Sequence, residues 1–165
     1  LAHHFRWEHR LIPWIAVTGS NGKTTTREML RRILRTRGTV AVPPRNYNNL
    51  IGLPLTILGA PEDAWAGVVE MGTNAPGEIA RLTEIATPTI AIVTNIGSAH
   101  LAGLDSEENV AREKAAVFSR LPEDGLAILP AGSPYAAQLR EQVSGLCATF
   151  GVEEPADLEI GRAHV

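Results

Sequence analysis

The sequence predicts an α/β fold in which helices flank a mostly parallel sheet. Short, unbroken apolar runs alternate along the chain with segments of helical spacing, and such runs are typical of parallel strands that are buried on both faces. A glycine-rich turn at residues 18–26 lies directly between the first apolar run and the first helical segment. The 165 residues are 44% hydrophobic and 20% charged, which suits one globular domain with a sizeable core.

The apolar runs are predicted to be strands. They cover residues 14–17, 39–42, 66–71, 89–94, 125–129 and 147–150, and a further strand-like segment covers 158–165. In parallel sheets of this kind, ligands bind beyond the carboxyl ends of the strands. The polar residues that follow each strand are therefore the first candidates for function.

Five segments between the strands are predicted to be helices. They cover residues 24–35, 52–58, 76–86, 105–121 and 134–143. The first carries Met29, Leu30, Ile33 and Leu34 at helical spacing. Residues 105–108 resemble a capping box at the start of the fourth helix.

The glycine-rich turn contains the pattern G-x-x-G-K-T, two residues shorter than the common phosphate loop. A strand that leads through such a turn into a helix directs backbone N–H groups and the positive helix end at one point. Lys23 could then reach terminal phosphates, and the Thr24 hydroxyl could bind Mg²⁺. We therefore predict a P-loop-like site for a nucleoside triphosphate. Its predicted members are Gly19, Ser20, Asn21, Gly22, Lys23, Thr24 and Thr25.

The alternative for this turn is an ordinary helix start, capped by Ser20 or Asn21, with Lys23 in solvent. A cation in the first turn opposes the helix dipole. This alternative therefore leaves Lys23 unexplained.

Other strand ends also carry polar side chains. Glu70 ends the third run and is a candidate Mg²⁺ ligand, the alternative being a strand-end carboxylate that faces water. Asn95 and His100 follow the fourth run. We expect Asn95 to bind phosphate or substrate, or else to close a turn, and His100 to bind a second cation or the substrate side of the phosphate. A lone histidine is more often structural.

An amide-rich segment follows the second strand and contains Asn46, Asn48 and Asn49. Several amides close together suit recognition of a polar substrate, although Asn is also common in turns for backbone reasons. Lys114 lies in a predicted helix, and its local spacing indicates an ordinary solvated lysine.

Composition excludes several other classes of function. With 15 basic and 18 acidic residues, the chain has no polycationic surface for nucleic acid. No apolar run reaches the roughly 20 residues of a membrane span. The single cysteine, Cys147, suits a reducing compartment, so we expect a cytoplasmic protein. His3, His4 and His9 are attributed to a polar linker rather than to a metal site.

Four blocks of sequence together resemble the central ATP-binding domain of the Mur ligase family. In chain order they read TGSNGKTT (residues 18–25), NYNNLIGLP (46–54), EMGTN (70–74, followed by PGEI at 76–79) and TNIG-x-AHL (94–101). The second and third blocks are most similar to the members that add D-alanyl-D-alanine to UDP-MurNAc-tripeptide. Ser98 and the pair Leu104-Asp105 depart from the family pattern, which usually has Pro and Phe-Gly there.

The resemblance implies a P-loop-type α/β domain within a three-domain ligase. Residues 1–12 would be the linker from an N-terminal UDP-binding domain, and residues 13–165 the central ATP-binding domain, without the C-terminal Rossmann-like domain. The isolated domain is then expected to be inactive alone. The activity implied is ATP-dependent amide ligation through an acyl phosphate, in peptidoglycan precursor synthesis.

The resemblance also implies roles for residues. Lys114 matches a lysine that is carbamylated in the family. The implied catalytic residues are Lys23, His100 and Lys114, and the implied Mg²⁺ ligands are Thr24, Glu70, His100 and carbamylated Lys114. Asn46, Asn48, Asn49 and Asn95 are the substrate-side candidates. Another Mur or folylpolyglutamate-type ligase and a non-ligating ATP-binding module remain the alternatives.

Overall fold

A computed structural model describes residues 12–97, 104–152 and 154–159. The helices are α1 (Lys23–Leu34), α2 (Gly52–Leu58), α3 (Glu78–Ala86), α4 (Glu107–Ala115) and α5 (Ala136–Glu141), and a 3₁₀ turn, Ala116–Phe118, follows α4. The strands are β1 (Trp14–Thr18), β2 (Val40–Ala41), β3 (Ala66–Glu70), β4 (Ile90–Val93), β5 (Leu126–Pro130), β6 (Leu146–Gly151) and β7 (Leu158–Glu159).

The strands form one seven-stranded sheet in the order β2-β3-β1-β4-β5-β6-β7. Every neighbouring pair is parallel, which confirms the predicted fold class. Because β1 lies between β3 and β4, the ends of these three strands meet: Val17 is in register with Glu70, and Thr18 with Val93. The residues that follow the three strands consequently share one edge of the sheet.

Apolar side chains are buried on both faces of this sheet. Trp14 and Ala16 of β1 belong to the larger core cluster, which includes Ile79 and Leu82 of α3. The alternate residues of β1 pack on the other face, where Leu30 and Leu34 of α1 cover them. This arrangement explains why the strands read as unbroken apolar runs rather than as alternating patterns.

The predicted apolar face of α1 is only half correct. Leu30 and Leu34 pack against the sheet, but Met29 and Ile33 are 59% and 65% exposed. Helical spacing shows that the four residues lie on one face of the helix, but it does not show how much of that face the sheet covers.

The described helices include none with the length and apolar character of a membrane-spanning segment.

The segment predicted as one helix over 105–121 is shorter and divided. It begins at Glu107, where the Ser106 hydroxyl accepts a hydrogen bond from the Asn109 N–H at 3.2 Å, and it passes at Ala116 into the 3₁₀ turn. The helix start is therefore capped within the predicted segment 105–108, but by Ser106, while Asp105 has a φ of +64° and lies outside the helix. The other predicted helices and strands agree with the structure to within about two residues, except for the strand-like segment predicted over 158–165. Of that segment the structure gives β7 at Leu158–Glu159, and residues 160–165 lie outside the described residues.

Candidate functional site

The loop between β1 and α1 brings a helix N-terminus to the sheet edge. Gly19 and Gly22 have φ values of +148° and +80°, a backbone region that glycine adopts readily. Gly22 is the N-cap of α1 and no side chain caps the helix, so the alternative of a Ser20 or Asn21 cap is wrong. The first helical bond runs from Thr26 N to Gly22 O at 2.9 Å. The amides before Thr26 therefore have no acceptor one turn earlier and point out of the helix end.

Gly19 is required by the close approach of β4. A Cβ atom at Gly19 would lie 1.9 Å from Thr94 Oγ1. That hydroxyl lies 2.6 Å from Asn21 O and 3.2 Å from Thr18 O, so it can donate its proton to either carbonyl. Thr94 thereby links the residue before the loop, Thr18, and a residue within it, Asn21, to the end of β4.

The segment after β4 fixes the first half of the loop. Ser20 N donates to Asn95 O at 3.1 Å, and Asn21 N donates to Asn95 Oδ1 at 2.8 Å. The Ser20 hydroxyl bonds Gly97 in both directions, accepting from its N–H and donating to its carbonyl, each at 3.0 Å. Two of the predicted phosphate-binding amides are thus engaged within the protein, which leaves the amides of residues 22–25 to face a ligand.

Lys23 folds back over this loop. Its ammonium donates to Gly19 O at 2.7 Å and to Ser20 O at 3.2 Å. Partial burial lowers the pKa of Lys23, and the negative charge of Glu70 opposes that shift. A cation in the first turn of α1 is therefore stabilised by loop carbonyls and by a nearby carboxylate rather than by solvent.

Glu70 lies at the centre of the site. Its side chain is 2% exposed, so the alternative of a strand-end carboxylate facing water is wrong. Glu70 Oε2 accepts from the Thr24 hydroxyl at 3.0 Å and from Arg27 Nη1 at 3.4 Å. Glu70 Oε1 accepts from Asn48 Nδ2 at 3.1 Å. Three elements, α1, β3 and the amide-rich segment, thus converge on one carboxylate.

Sequence reasoning missed Arg27, which is buried beneath this cluster. Arg27 Nη1 also donates to Arg45 O at 3.1 Å, so the guanidinium joins α1 to the amide-rich segment. The signal in the sequence was its spacing. Arg27 lies three residues after Thr24 and therefore on the same face of the helix.

The asparagine side chains of the predicted substrate segment have different hydrogen-bond partners. Asn48 contacts Glu70, and its carbonyl accepts from Gly72 N at 2.8 Å. Asn49 Oδ1 accepts from the N–H groups of Ile51 and Gly52, where α2 begins. Asn46 is exposed. Asn49 and Asn95 thus have backbone partners of the kind that the turn alternative predicts, and the substrate-side roles of all four amides stay predictions.

Lys114 is buried, contrary to what its local spacing indicated. The residue is 1% exposed, and among the residues that the structure describes Nζ has no hydrogen-bond partner. The pKa of Lys114 is lowered to about 8, chiefly by burial and also by the Lys23 charge, while the Glu113 charge opposes the shift. The position is therefore occupied by an amine with a substantial neutral fraction near pH 8.

The family of the chain follows from comparison with known proteins. A model of the Mur ligase middle domain matches residues 17–165. The chain belongs to the Mur ligase family. The UDP-N-acetylmuramoyl-tripeptide–D-alanyl-D-alanine ligase of Bacillus subtilis is 40% identical over 152 residues, which cover 89% of this chain and 33% of that ligase.

Solved structures give the same family. This Mur ligase domain superimposes on MurF from Acinetobacter baumannii with a TM-score of 0.89 and 34% identity, covering 92% of this chain and 34% of that one. MurF ligase from Thermotoga maritima in complex with ADP gives a TM-score of 0.83 and 33% identity, covering 94% and 36%. The chain spans about a third of the length of the relatives it matches.

The donor set of this Mur ligase domain fits a hard cation. Among residues 12–97, 104–152 and 154–159, no group of three or more His, Cys, Asp or Glu side chains is arranged to hold a metal ion. Thr24 and Glu70 nevertheless present oxygen atoms side by side, and Mg²⁺ is commonly held by one or two carboxylates with phosphates and water. His100, with His3, His4 and His9, lies outside the described residues.

Proposed function

We propose that this chain is the ATP-binding middle domain of a ligase that joins D-alanyl-D-alanine to UDP-MurNAc-tripeptide. Its flanking partners would be an N-terminal UDP-binding domain and a C-terminal domain of the same parent protein. Support comes from relatives named for this reaction at 34–40% identity, of whose length the chain covers about a third. The observation that carries the proposal is the hydrogen bond from Thr24 to Glu70 at the N-terminus of α1, the helix that follows the phosphate loop.

ATP would bind with its phosphates at the start of α1. The N–H groups of residues 22–25 lie at the positive end of this helix, where an anion is favoured. Lys23 would exchange its contacts with Gly19 O and Ser20 O for the β- and γ-phosphates. The relative from Thermotoga maritima was solved in complex with ADP, which supports nucleotide binding by this domain.

Thr24 and Glu70 would hold Mg²⁺ between the carboxylate and the phosphates. When bound, the ion would neutralise charge that develops on the transferred phosphoryl group. Arg27 and Asn48 would keep the Glu70 carboxylate oriented, as partners beyond the direct ligands commonly do. His100 and carbamylated Lys114 would serve a second ion.

The reaction would proceed in two steps. The terminal carboxylate of the tripeptide attacks the γ-phosphorus of ATP, so that an acyl phosphate forms and ADP leaves. The amine of D-alanyl-D-alanine then attacks the acyl carbon, loses a proton, and expels inorganic phosphate to give the amide. The domain would contribute chiefly positioning and charge neutralisation, which is most of what phosphoryl transfer requires. The product is a peptidoglycan precursor, and the compartment proposed is the cytoplasm.

Lys114 would act in its carbamylated form. Carbamylation needs a neutral amine that attacks CO₂ and releases a proton, and the lowered pKa of Lys114 supplies that neutral fraction. The buried Nζ atom has no hydrogen-bond partner among residues 12–97, 104–152 and 154–159, and a buried ammonium group without partners is costly. A carbamate would replace this cation with an anion able to face Mg²⁺.

Phosphate release from the complete ligase tests the proposal. The enzyme is offered UDP-MurNAc-tripeptides that carry lysine or diaminopimelate as third residue, with and without D-alanyl-D-alanine. We expect release that depends on both the peptide and D-alanyl-D-alanine. Release that needs an amino acid or glutamate instead would identify another Mur or folylpolyglutamate-type ligase, and release without any acceptor would identify a non-ligating ATPase module.

A further inference from the structure

We infer that Glu113 is a positioning residue that sets the location of Lys114 by tying α4 to the start of α3. The inference rests on the role proposed above for Lys114. It concerns a residue that neither the sequence motifs nor the proposed chemistry includes.

Glu113 reaches from α4 across to the N-terminus of α3. One carboxylate oxygen accepts from Gly77 N at 2.7 Å, and the other accepts from Ile79 N at 2.8 Å. The side chain is only 8% exposed. Gly77, the N-cap of α3, offers no side-chain cap of its own, so a residue of another helix supplies the acceptor that the first helical amides require. A carboxylate at this end also matches the helix dipole.

The direction of the Lys114 side chain depends on the position of its backbone. Within the described part of the chain its Nζ atom has no hydrogen-bond partner, so no hydrogen bond from these residues fixes the direction of the side chain. The position of the reactive nitrogen therefore follows from where α4 lies. Glu113 is the residue directly before Lys114. Its hydrogen bonds from Gly77 N and Ile79 N, with a longer one of 3.4 Å from the Thr73 hydroxyl, fix that turn of α4 relative to α3.

Glu78 provides a matched control on the same helix end. Its carboxylate accepts from Asn74 N at 2.6 Å and from Ala75 N at 3.1 Å, so it also stabilises the start of α3. All of these partners lie in the segment before α3, whereas Glu113 joins two helices. A purely structural role would make the two carboxylates equivalent, and a positioning role would not.

The test measures carbamate formation on Lys114 in the complete ligase. The enzyme is equilibrated with ¹³C-bicarbonate, and the carbamate carbon is detected by ¹³C NMR. Lys114→Met identifies the signal by removing it. Glu113→Ala should reduce the signal to about a tenth or less, a loss typical of disturbed outer partners of a site. Glu113→Gln, which keeps one acceptor, should give an intermediate signal. Glu78→Ala should keep the signal of the unsubstituted enzyme at temperatures where all variants are folded.

The carbamate signals of these variants, and their kinetics if no signal forms, decide the inference. Equal losses in Glu113→Ala and Glu78→Ala, or none in Glu113→Ala, would overturn it. If the unsubstituted enzyme gives no carbamate signal, the carbamylation proposal fails, and steady-state kinetics then decide the role of Glu113. A kcat about tenfold lower in Glu113→Ala, with an unchanged KM for ATP and no change in Glu78→Ala, would support positioning. An unchanged kcat in Glu113→Ala would refute it.

Discussion

The Thr24 hydroxyl donates to Glu70 Oε2 over 3.0 Å, which joins the first turn of α1 to the end of β3. The two residues are 46 positions apart in sequence. They meet because β1 and β3 are parallel neighbours with Val17 in register with Glu70. The loop that follows β1 therefore lies next to the end of β3, where Thr24 meets Glu70. A hydroxyl, a carboxylate and a helix N-terminus are thus placed together by the strand order.

Removal of the Glu70 charge should weaken Mg²⁺-dependent turnover. Glu70→Gln keeps the size of the side chain but replaces one oxygen ligand with an amide. We expect kcat/KM of the complete ligase to fall by at least about 100-fold, the upper end of what outer partners of metal sites cost. Glu62→Gln, a substitution at an exposed position, is the control. Equal kcat/KM in the two variants across a Mg²⁺ titration would exclude Glu70 as a ligand.

The Gly19 position should not accept a side chain. In Gly19→Ala the new Cβ would lie 1.9 Å from Thr94 Oγ1 and the residue would keep a φ of +148°. Overpacking together with backbone strain should lower the free energy of unfolding by about 3 kcal/mol. Gly77→Ala tests the strain alone, because Gly77 has a φ of +85° and an added Cβ would meet no atom of the described residues within 4 Å. This variant should cost about 1 kcal/mol. Urea unfolding of both variants checks this ranking, which similar losses would contradict.

Much of the sheet could be predicted from the sequence because parallel strands buried on both faces read as apolar runs. The bounds of α2 were predicted correctly, and β4 lies within the predicted run. The strand order could not be predicted, since nothing in a run specifies its neighbour. Met29 and Ile33 were misjudged for a related reason: their exposure depends on how far the sheet extends beneath α1.

The site was predicted less completely than the fold. Lys23, Thr24 and Glu70 could be proposed from local motifs, and the structure places Thr24 in hydrogen-bond contact with Glu70; their roles stay predictions. Arg27 and Glu113 were missed because their partners, Glu70 and Gly77, are 43 and 36 positions away. The burial of Lys114 was likewise invisible, because helical spacing alone does not show which side of α4 meets the core.

Lys114 should make stability depend on pH. Its folded pKa of about 8 lies below the ordinary value of 10.5, so between these pH values the unfolded chain binds more protons than the folded one. The free energy of unfolding of the chain should therefore rise from pH 8 to 10.5, and the full penalty should persist below pH 8. The two pKa values correspond to a penalty of about 3 kcal/mol.

Substitution tests this prediction directly. In CO₂-depleted buffer, Lys114→Met should raise the free energy of unfolding near pH 7 by up to about 3 kcal/mol. The difference from the unsubstituted chain should shrink towards pH 10. Arg112→Met, at a largely exposed position, should show no such convergence. A difference that stays constant from pH 7 to 10 would refute the account of Lys114.

Asp105 should tolerate glycine better than a branched residue. Its φ of +64° is a conformation that costs L-residues about 1–2 kcal/mol, with Asp among the less penalised. Asp105→Gly should leave the melting temperature unchanged or raise it slightly, whereas Asp105→Val should lower it by several degrees, as a loss of about 1 kcal/mol does in a domain of this size. Differential scanning calorimetry gives both values, and a higher melting temperature for the valine variant would contradict the assigned backbone conformation.

Binding of a non-hydrolysable ATP analogue with Mg²⁺ is the most direct measurement of the nucleotide site. Calorimetry on the complete ligase should show an affinity at least about tenfold weaker for Lys23→Ala, the cost of about 1.4 kcal/mol expected from one charge-assisted phosphate contact. Arg35→Ala, at the exposed far end of the same helix, should bind the ATP analogue with the affinity of the unsubstituted enzyme. Phosphate release that depends on D-alanyl-D-alanine should be lost only in Lys23→Ala. Equal affinities and equal turnover in all three proteins would contradict the assignment of the α1 loop as the ATP phosphate site.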